Sequence, residues 1–410
     1  MTTPLGRKLR YGMVGGGPGA FIGAVHRRAA ELDGLAELVA GAFSSDAERS
    51  RAQGAQLGLD RARAYASFEA MADAEARRPE GDRVDFVSVV TPNHLHLPAA
   101  RAFIERGISV VCDKPMTTTL ADAEALCRLV AEHDVTFALT HTYAGYQLVK
   151  HARALVQGGE LGEVRKVVAE YSQGWLAEPL EGTDNKQAAW RTDPKYAGAG
   201  ALGDIGSHAA HLARYVTGLE MERLLADVAS VVPGRRIDDD ANLLVRYRGG
   251  ARGVLHCSQI MVGEENRLSL RVYGTRASLE WNQERPTELV VRRNDGPGGI
   301  VRAGNAYLAP AARHVTRLPS GHPEGFIEAF GNIYGNALRT IAARLTGAEP
   351  DPLDLDFPTA QDGAVGVHFI EQAVRSGREG GAWVDMRYEP PGIGSRESGM
   401  GTAEPSPAPA

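Results

Sequence analysis

Apolar and polar positions divide the chain into two parts with different rhythms. In the first, short apolar runs alternate with segments of helical spacing. Leu9 to Val14 is an apolar run that closes in glycines, and Ala20 to Leu32 repeats apolar residues every three or four positions. Ala36 to Phe43 and Asp46 to Leu57 repeat the strand-then-helix order. Val84 to Val90 (VDFVSVV) is a buried strand by composition, followed by a helix over Pro98 to Arg106. Ile108 to Cys112, Leu120 to His133 and Val135 to Thr140 close the series. Strands and helices alternating at this length predict a parallel sheet covered on both faces.

Beyond about residue 150 the rhythm changes. Val164 to Tyr171, Leu224 to Val232, Asn242 to Tyr247, Arg252 to Ile260, Leu268 to Gly274 and Ala277 to Trp281 read as strands. The last five have no helices between them, and turn-like stretches such as Arg248-Gly249-Gly250 separate several. This predicts an α+β part with an open, mostly antiparallel sheet. Two late helices are expected, Gly325 to Leu345 and Thr359 to Ser376. The expected division is a dinucleotide-binding α/β domain over 1–140 and an α+β domain over 141–387. The Pro/Gly/Ser-rich stretch 388–410 reads as a disordered tail.

Composition narrows the class. At 410 residues the chain exceeds what one hydrophobic core usually serves, which fits two domains. A formal charge of −6, with both signs well mixed, argues against a nucleic-acid partner. Cys112, Cys127 and Cys257 are too scattered for a disulfide framework. The start, MTTPLGRKLRYGMVGGG, lacks the apolar stretch of a secretory signal, and no apolar run is long enough to span a membrane. The expectation is a cytoplasmic enzyme without a membrane partner.

Candidate chemistry begins at the first strand. Tyr11 to Gly23 (YGMVGGGPGAFIG) is a strand, a glycine cluster and a helix start. Gly15 and Gly17 permit the tight turn and close backbone approach that a pyrophosphate needs. The helix beginning at Ala20, Phe21 and Ile22 offers free N–H groups and a positive dipole end. The motif is permissive, Gly15-x-Gly17-x-x-Ala20, and Gly23 takes the packing role of a third glycine. At the end of the second strand, Ser44, Ser45 and Arg49 suit a ribose 2′-phosphate, whereas Asp46 suits a free 2′-hydroxyl or merely a helix cap. NAD and NADP both stay open, with the balance slightly towards NAD.

Three further segments resemble one family. Thr91-Pro92-Asn93-His94-Leu95-His96 follows a buried strand, Asp113-Lys114-Pro115 ends the next, and Gly203-Asp204-Ile205-Gly206-Ser207-His208 lies in the second part. Together they resemble the Gfo/Idh/MocA oxidoreductases, the glucose-fructose oxidoreductase and inositol dehydrogenase family. The likeness runs to about residue 388 and includes Trp190-Arg191 and Asp362-Gly363. It implies that Lys114 sits beside the nicotinamide and the substrate hydroxyl, in a motif whose usual Glu is here the shorter Asp113. It also implies catalytic roles for Asp204 and His208, and a cofactor border at Thr91, Pro92, Asn93 and His96. Trp190 and Arg191 resemble the pocket rim. Substrates of the family are sugars, sugar derivatives and inositols, and homo-oligomers (dimers or tetramers) packed through the second sheet are frequent.

The chemistry stands beside the resemblance. Oxidising a secondary alcohol needs a base for the hydroxyl proton, and histidine, with an unperturbed pKa near ~6.5, suits that role. On a helix Asp204 and His208 share a face, so the carboxylate is expected to hold or polarise the pair. Lys114 is expected to stabilise developing alkoxide charge. His141, Tyr143, Gln173, Trp175, Arg191 and His322 complete a polar and aromatic set suited to a hydroxyl-rich ligand, although each alone is ordinary structural material. Asp204, His208 and His211 also admit a metal reading, but no HExxH pattern accompanies them, and no metal is expected. The leading expectation is an NAD(P)-dependent dehydrogenase acting on CH–OH groups. The alternative is a glycosidase on the same fold that oxidises a ring carbon transiently, eliminates, adds water and re-reduces. A nucleotide-sensing protein without catalysis is the third.

Overall fold

In a computed structural model, which describes residues 5–391, the chain forms two sheets. The tail expected over 388–410 lies, beyond residue 391, outside the described residues. The first sheet is five-stranded and parallel. Its strands are β1 (Leu9–Gly15), β2 (Ala36–Ala42), β3 (Phe86–Val90), β4 (Ser109–Cys112) and β5 (Phe137–Leu139), in the order β2-β1-β3-β4-β5. Helices α1 (Phe21–Glu31), α2 (Ala47–Gln56), α3 (Phe68–Ala76), α4 (His96–Ile104) and α5 (Leu120–His133) connect them. Every residue of β3 and β4 is buried, as a central parallel strand covered on both faces requires. Strand order reverses direction at β1, which opens a crevice at the carboxyl ends of β1 and β3.

The second sheet has nine strands. After α6 (Gln147–Gln157) come β6 (Val164–Ser172), the short helices α7 (Lys186–Arg191) and α8 (Pro194–Ala197), and α9 (Ser207–Thr217). Then follow β7 (Met221–Ala229), β8 (Asp240–Tyr247), β9 (Arg252–Ser258), β10 (Arg267–Gly274), β11 (Ala277–Asn282), β12 (Glu288–Arg293) and β13 (Gly299–Arg302). Helices α10 (Pro310–His314), α11 (Phe326–Leu345) and α12 (Ala360–Arg378) precede the edge strand β14 (Val384–Asp385). The order is β13-β12-β11-β10-β6-β9-β8-β7-β14, and all pairs but β6–β9 are antiparallel. Burial alternates with period two along β8, where Leu243 and Val245 face the core and Asn242 and Leu244 face outward. Helices therefore cover one face of this sheet and leave the other open.

Chain order and packing differ at the end of the chain. α11 packs on α1, giving Phe330, Tyr334, Leu338 and Ile341 to the core on one face of the first sheet. α12 spans both cores: Ala360, Ala364 and Val367 join the other face of the first sheet, whereas Phe369 and Ala373 join the second. Its start is locked by a capping box in which Thr359 and Asp362 exchange hydrogen bonds, and Asp362 also accepts from Arg214 of α9 at 2.6 Å. These contacts fasten α9, which carries His208, to the first sheet.

Candidate active site

A cleft of about 640 Å³ runs along the carboxyl ends of β1 to β4. Its floor is the glycine turn. Gly15 has φ +83°, and a Cβ there would lie 2.7 Å from the Val90 carbonyl oxygen. At Gly17 a Cβ would lie 2.4 Å from the Phe43 oxygen, and at Gly23 2.5 Å from the Gly16 Cα. Side chains are thus excluded where the turn meets the ends of β2 and β3 and where α1 meets the turn. Ala20 precedes α1 without a side-chain cap, and the first turn holds no acid, so its amides are left for an anion. Ser44, Ser45, Ser67 and Glu69 line one end of the cleft, and Thr91, Pro92 and Asn93 its side. Thr91 Oγ1 is buried there without a hydrogen-bond partner.

At its other end the cleft reaches Asp113, Lys114, Trp190, Arg191 and Asp204, and there a second cleft of about 330 Å³ begins. The second is lined by Phe21, Lys114, Tyr171, Gln173, Trp175, Gln187, Arg191, Asp204, Ile205 and His208. Lys114 leaves the end of β4 and donates from Nζ to the Asp204 carbonyl oxygen (2.5 Å) and to Asp204 Oδ1 (2.9 Å). Asp204 Oδ2 accepts from Gln259 Nε2 at 2.9 Å, and Arg191 Nε stands 3.5 Å away. Burial alone would raise the Asp204 carboxyl, but the Lys114 and Arg191 cations outweigh it and hold the pKa at about 2. Behind Lys114, Asp113 accepts from Thr140 Oγ1 and the Lys114 amide, both at 2.9 Å. Burial would raise this carboxyl too, yet His26, Lys114 and His96 hold it well below the usual range.

His208 stands at the first turn of α9, 8 % exposed. Its ring meets the Tyr143 ring edge-on at 4.7 Å, and its Nδ1 faces His141 Nδ1 at 3.4 Å. Burial, reinforced by the Lys114 ammonium and by His211, pushes its pKa well below 6.5, so the ring is neutral at pH 7. Around it runs a chain of hydrogen bonds. Tyr143 and Tyr171 share one at 2.5 Å, Tyr171 donates to Asn266 (2.6 Å), Gln173 donates to the same oxygen (2.8 Å), and Trp175 donates to Gln173 (3.1 Å). A neutral imidazole and an ammonium thus open into one polar, partly aromatic cleft next to a larger one with a glycine-turn floor.

Comparison with known proteins agrees with this arrangement. Residues 9–141 match the oxidoreductase family with an NAD-binding Rossmann fold, and residues 149–280 match the GFO/IDH/MocA C-terminal domain. The chain is a Gfo/Idh/MocA oxidoreductase. It is 33% identical over 387 residues to an uncharacterized oxidoreductase of Bacillus subtilis, covering 93% of this chain and 98% of that one. A crystal structure of an oxidoreductase from Sinorhizobium meliloti is 45% identical, with a TM-score of 0.84, over 92% of this chain and all of that one (100%). An inositol dehydrogenase homolog from Azotobacter vinelandii, complexed with NAD+, is 38% identical with a TM-score of 0.88, over 94% and 99% of the two chains. Its complex with NADH and myo-inositol gives 37% and 0.85, over 92% and 98%.

Not every residue singled out in this Gfo/Idh/MocA sequence reaches the clefts. Gly15, Ala20, Ile22, Ser44, Ser45, Thr91, Pro92, Asn93, Asp113, Lys114, Trp190, Arg191 and Asp204 line the larger one. Phe21, 71 % exposed, lines the smaller one instead, with Gln173, Trp175 and His208. His96 turns inward: Nδ1 and Nε2 lie 2.9 Å from the Pro115 and Thr91 carbonyl oxygens, so it buckles the two motif loops together from behind. Arg49 is exposed and outside the lining, while Asp46 is occupied in capping α2 through the Arg49 amide (2.9 Å). His322 is exposed and lies in neither cleft. His141 and Tyr143 form the wall behind His208.

The expected partnership of Asp204 with His208 is absent. Leu202–Gly206 is wound as a turn of π-helix before α9 begins, and Asp204 bonds to Lys114 and Gln259, not to His208. Several lining residues had no mark in the sequence reading: Ala66 to Glu69, Tyr171, Gln187, Ala199, Gly200 and Gln259. For the first group a signal exists, because Ser67 caps α3 through the Ala70 amide and Glu69 sits in its first turn. Gln259 has none, since its partner Asp204 is 55 positions away. Among the described residues no three His, Cys, Asp or Glu side chains are grouped to hold a metal ion, and no helix is long and apolar enough to cross a membrane.

Proposed function

We propose that this chain is an NAD-dependent dehydrogenase of a cyclic polyol, an inositol or a sugar ring. The observation that carries the reading is the convergence of Lys114 Nζ and the neutral His208 imidazole on one small polar cleft that opens into the dinucleotide-sized cleft. The residues of the larger cleft fit a dinucleotide: the side-chain-free turn and the uncapped start of α1 would hold the pyrophosphate, and Thr91 Oγ1 is an unpartnered group beside it. A bound nicotinamide supplies the acceptor for the hydride that leaves the substrate carbon.

The chain's own residues manage the proton. His208 Nε2 has no partner among the described residues and takes the hydroxyl proton as the carbon is oxidised. Lys114, ion-paired with the Asp204 carboxylate, donates to the same oxygen and steadies its negative charge. In the reverse direction His208 returns the proton. Gln173, Trp175 and Arg191 present fixed donors and acceptors for the remaining hydroxyls, and Trp175 and Phe21 offer ring faces. The inositol dehydrogenase homolog solved with NADH and myo-inositol, 37% identical over nearly the whole chain, supports a polyol of that size.

Cofactor choice follows from charge. At the end of the cleft near β2 the lining carries Ser44, Ser45, Ser67 and the Glu69 carboxylate, with no cation, and Arg49 lies outside. A 2′-phosphate would meet repulsion there, so NAD is expected to bind at least about tenfold more tightly than NADP, a difference of ~1.4 kcal/mol. The test is to titrate both nucleotides and follow absorbance of the reduced form while inositols and monosaccharides are screened. Steady NADH production supports the dehydrogenase; turnover of a glycoside without it would replace this reading by the oxidoreductive glycosidase. Failure to bind either nucleotide would end both.

The open face of the second sheet supports a homo-oligomer. Leu225, Leu244, Val254 and Val168 are paired in register across β7, β8, β9 and β6, a continuous apolar row on the uncovered face, with Leu244 48 % exposed. We expect light scattering to give two or four chain masses for the native protein. Leu244→Arg, which puts a charge in the centre of the row, should shift it to one.

A further inference from the structure

We propose that His141 is the positioning residue that sets the tautomer of His208, the post a carboxylate commonly fills beside a catalytic histidine. The inference rests on the reading above, that His208 takes the substrate proton. The one carboxylate near His208 in sequence, Asp204, has both oxygens engaged by Lys114 and Gln259, with Arg191 beside them. His208 Nδ1 instead faces His141 Nδ1 at 3.4 Å, with the rings nearly perpendicular at 83°. Two nitrogens so placed cannot both carry protons in their neutral rings; one donates and the other accepts.

The rings are held in that relation. His141 is 2 % exposed and lies flat on His211, with ring centroids 4.2 Å apart and planes within 6°. His208 is braced on its other side by the edge of Tyr143, and Tyr171 lies 6.2 Å from it. The charged and titratable groups facing the pair are Lys114 from the end of β4, Asp113 beside it, His211 from α9, and Asp362 of α12 behind His211. Burial first, then His211, His208 and Lys114, push the His141 pKa well below 6.5; His211 falls to about 4 for the same primary reason. His141 is therefore neutral at pH 7 and has a ring nitrogen able to accept. With His208 donating from Nδ1, its Nε2 lone pair is left for the cleft, and the imidazolium formed on proton uptake keeps its Nδ1–H bonded.

In the reverse direction the imidazolium, its Nδ1–H still bonded to His141, gives its Nε2 proton to the carbonyl oxygen as hydride reaches the carbon, and His208 returns to the neutral Nδ1–H tautomer.

The test uses the NAD-bound protein labelled with ¹⁵N-histidine. The His208 signals, assigned by their loss in His208→Asn, should show the Nδ1–H tautomer. His141→Phe keeps a ring for His211 to stack on but removes the nitrogen, and should move His208 towards the Nε2–H tautomer. With a polyol substrate, kcat should then fall at least about tenfold while KM and NAD affinity stay within about twofold. The acid limb of the kcat profile should move to lower pH, because the imidazolium loses its acceptor. His141→Asn, which places an amide oxygen where Nδ1 stood, should restore both readouts; His141→Gln, which mimics Nε2, should not. An unchanged His208 tautomer in His141→Phe overturns the proposal, and so does equal behaviour of the Asn and Gln variants. If no polyol is oxidised, the dehydrogenase reading fails, and the tautomer measurement still judges the histidine pair.

Discussion

Lys114→Met should lower kcat by about 10³-fold while leaving NAD affinity within about threefold. The ammonium lines both clefts and is anchored through bonds to the Asp204 carbonyl (2.5 Å) and Oδ1 (2.9 Å). Methionine retains the stem and loses the charge, so the alkoxide forms without its donor. The substitution also removes the foremost of the charges that depress Asp204. In the native protein that carboxyl, held at about 2, adds stability above the ordinary carboxylate pKa of ~3.9, and the contribution fades as pH falls towards 2. The variant should therefore be less stable than the native protein at pH 7, by thermal or urea unfolding, with the gap narrowing below about pH 4. A loss of kcat below tenfold would remove Lys114 from the chemistry.

His208→Asn should cost a similar factor, on the order of 10³ in kcat, with KM little changed. Asparagine keeps a polar atom near the Nδ1 position, and so the contact towards His141, but deletes Nε2. In the native enzyme the acid limb of kcat/KM should lie below pH 6.5, since burial, Lys114 and His211 all disfavour the imidazolium. Activity is thus retained as pH falls from 8 to 6.5 and is lost only when His208 finally protonates. In the variant that limb should vanish. A limb that persists at the same pH belongs to another group, and His208 would then not be the base.

How far these residues are legible before folding depends on the range of the interaction that defines them. The glycine turn is readable because its requirement is local: strand, turn and helix lie within 23 residues, and packing at Gly15, Gly17 and Gly23 admits no side chain. The central strands read clearly since β3 and β4 are apolar throughout and buried on both faces. The outer strands give less contrast: β12 buries only Leu289 and Val291, and the edge strand β13 is exposed along most of its length. α6 escaped notice for a different reason. Its buried face includes Gln147, Lys150 and His151, and Lys150 is tolerated there only because Asp356, 206 positions away, accepts from its ammonium at 2.6 Å.

The site divides in the same manner. Lys114, Asp204 and His208 stand out by residue type and motif, and the fold brings all three to one cleft. Which of them are partners was not readable. Spacing of four positions places Asp204 beside His208 only in an α-helix, and the π-turn at Leu202–Gly206 breaks that relation. His96, expected at the cofactor border, is a buried buckle, and His322, expected among the ligand-binding set, is solvent-exposed.

By itself, then, the sequence determined the two-part architecture and the glycine turn and singled out the three candidate side chains, because periodicity, glycine spacing and motif act over one or two elements. The tertiary structure alone decided the pairings: Asp204 with Lys114, His141 with His208, and α11 with α1. Each joins positions on separate elements, at least 67 residues apart in the two side-chain pairs, where distance in space is set by packing and leaves no trace in local pattern.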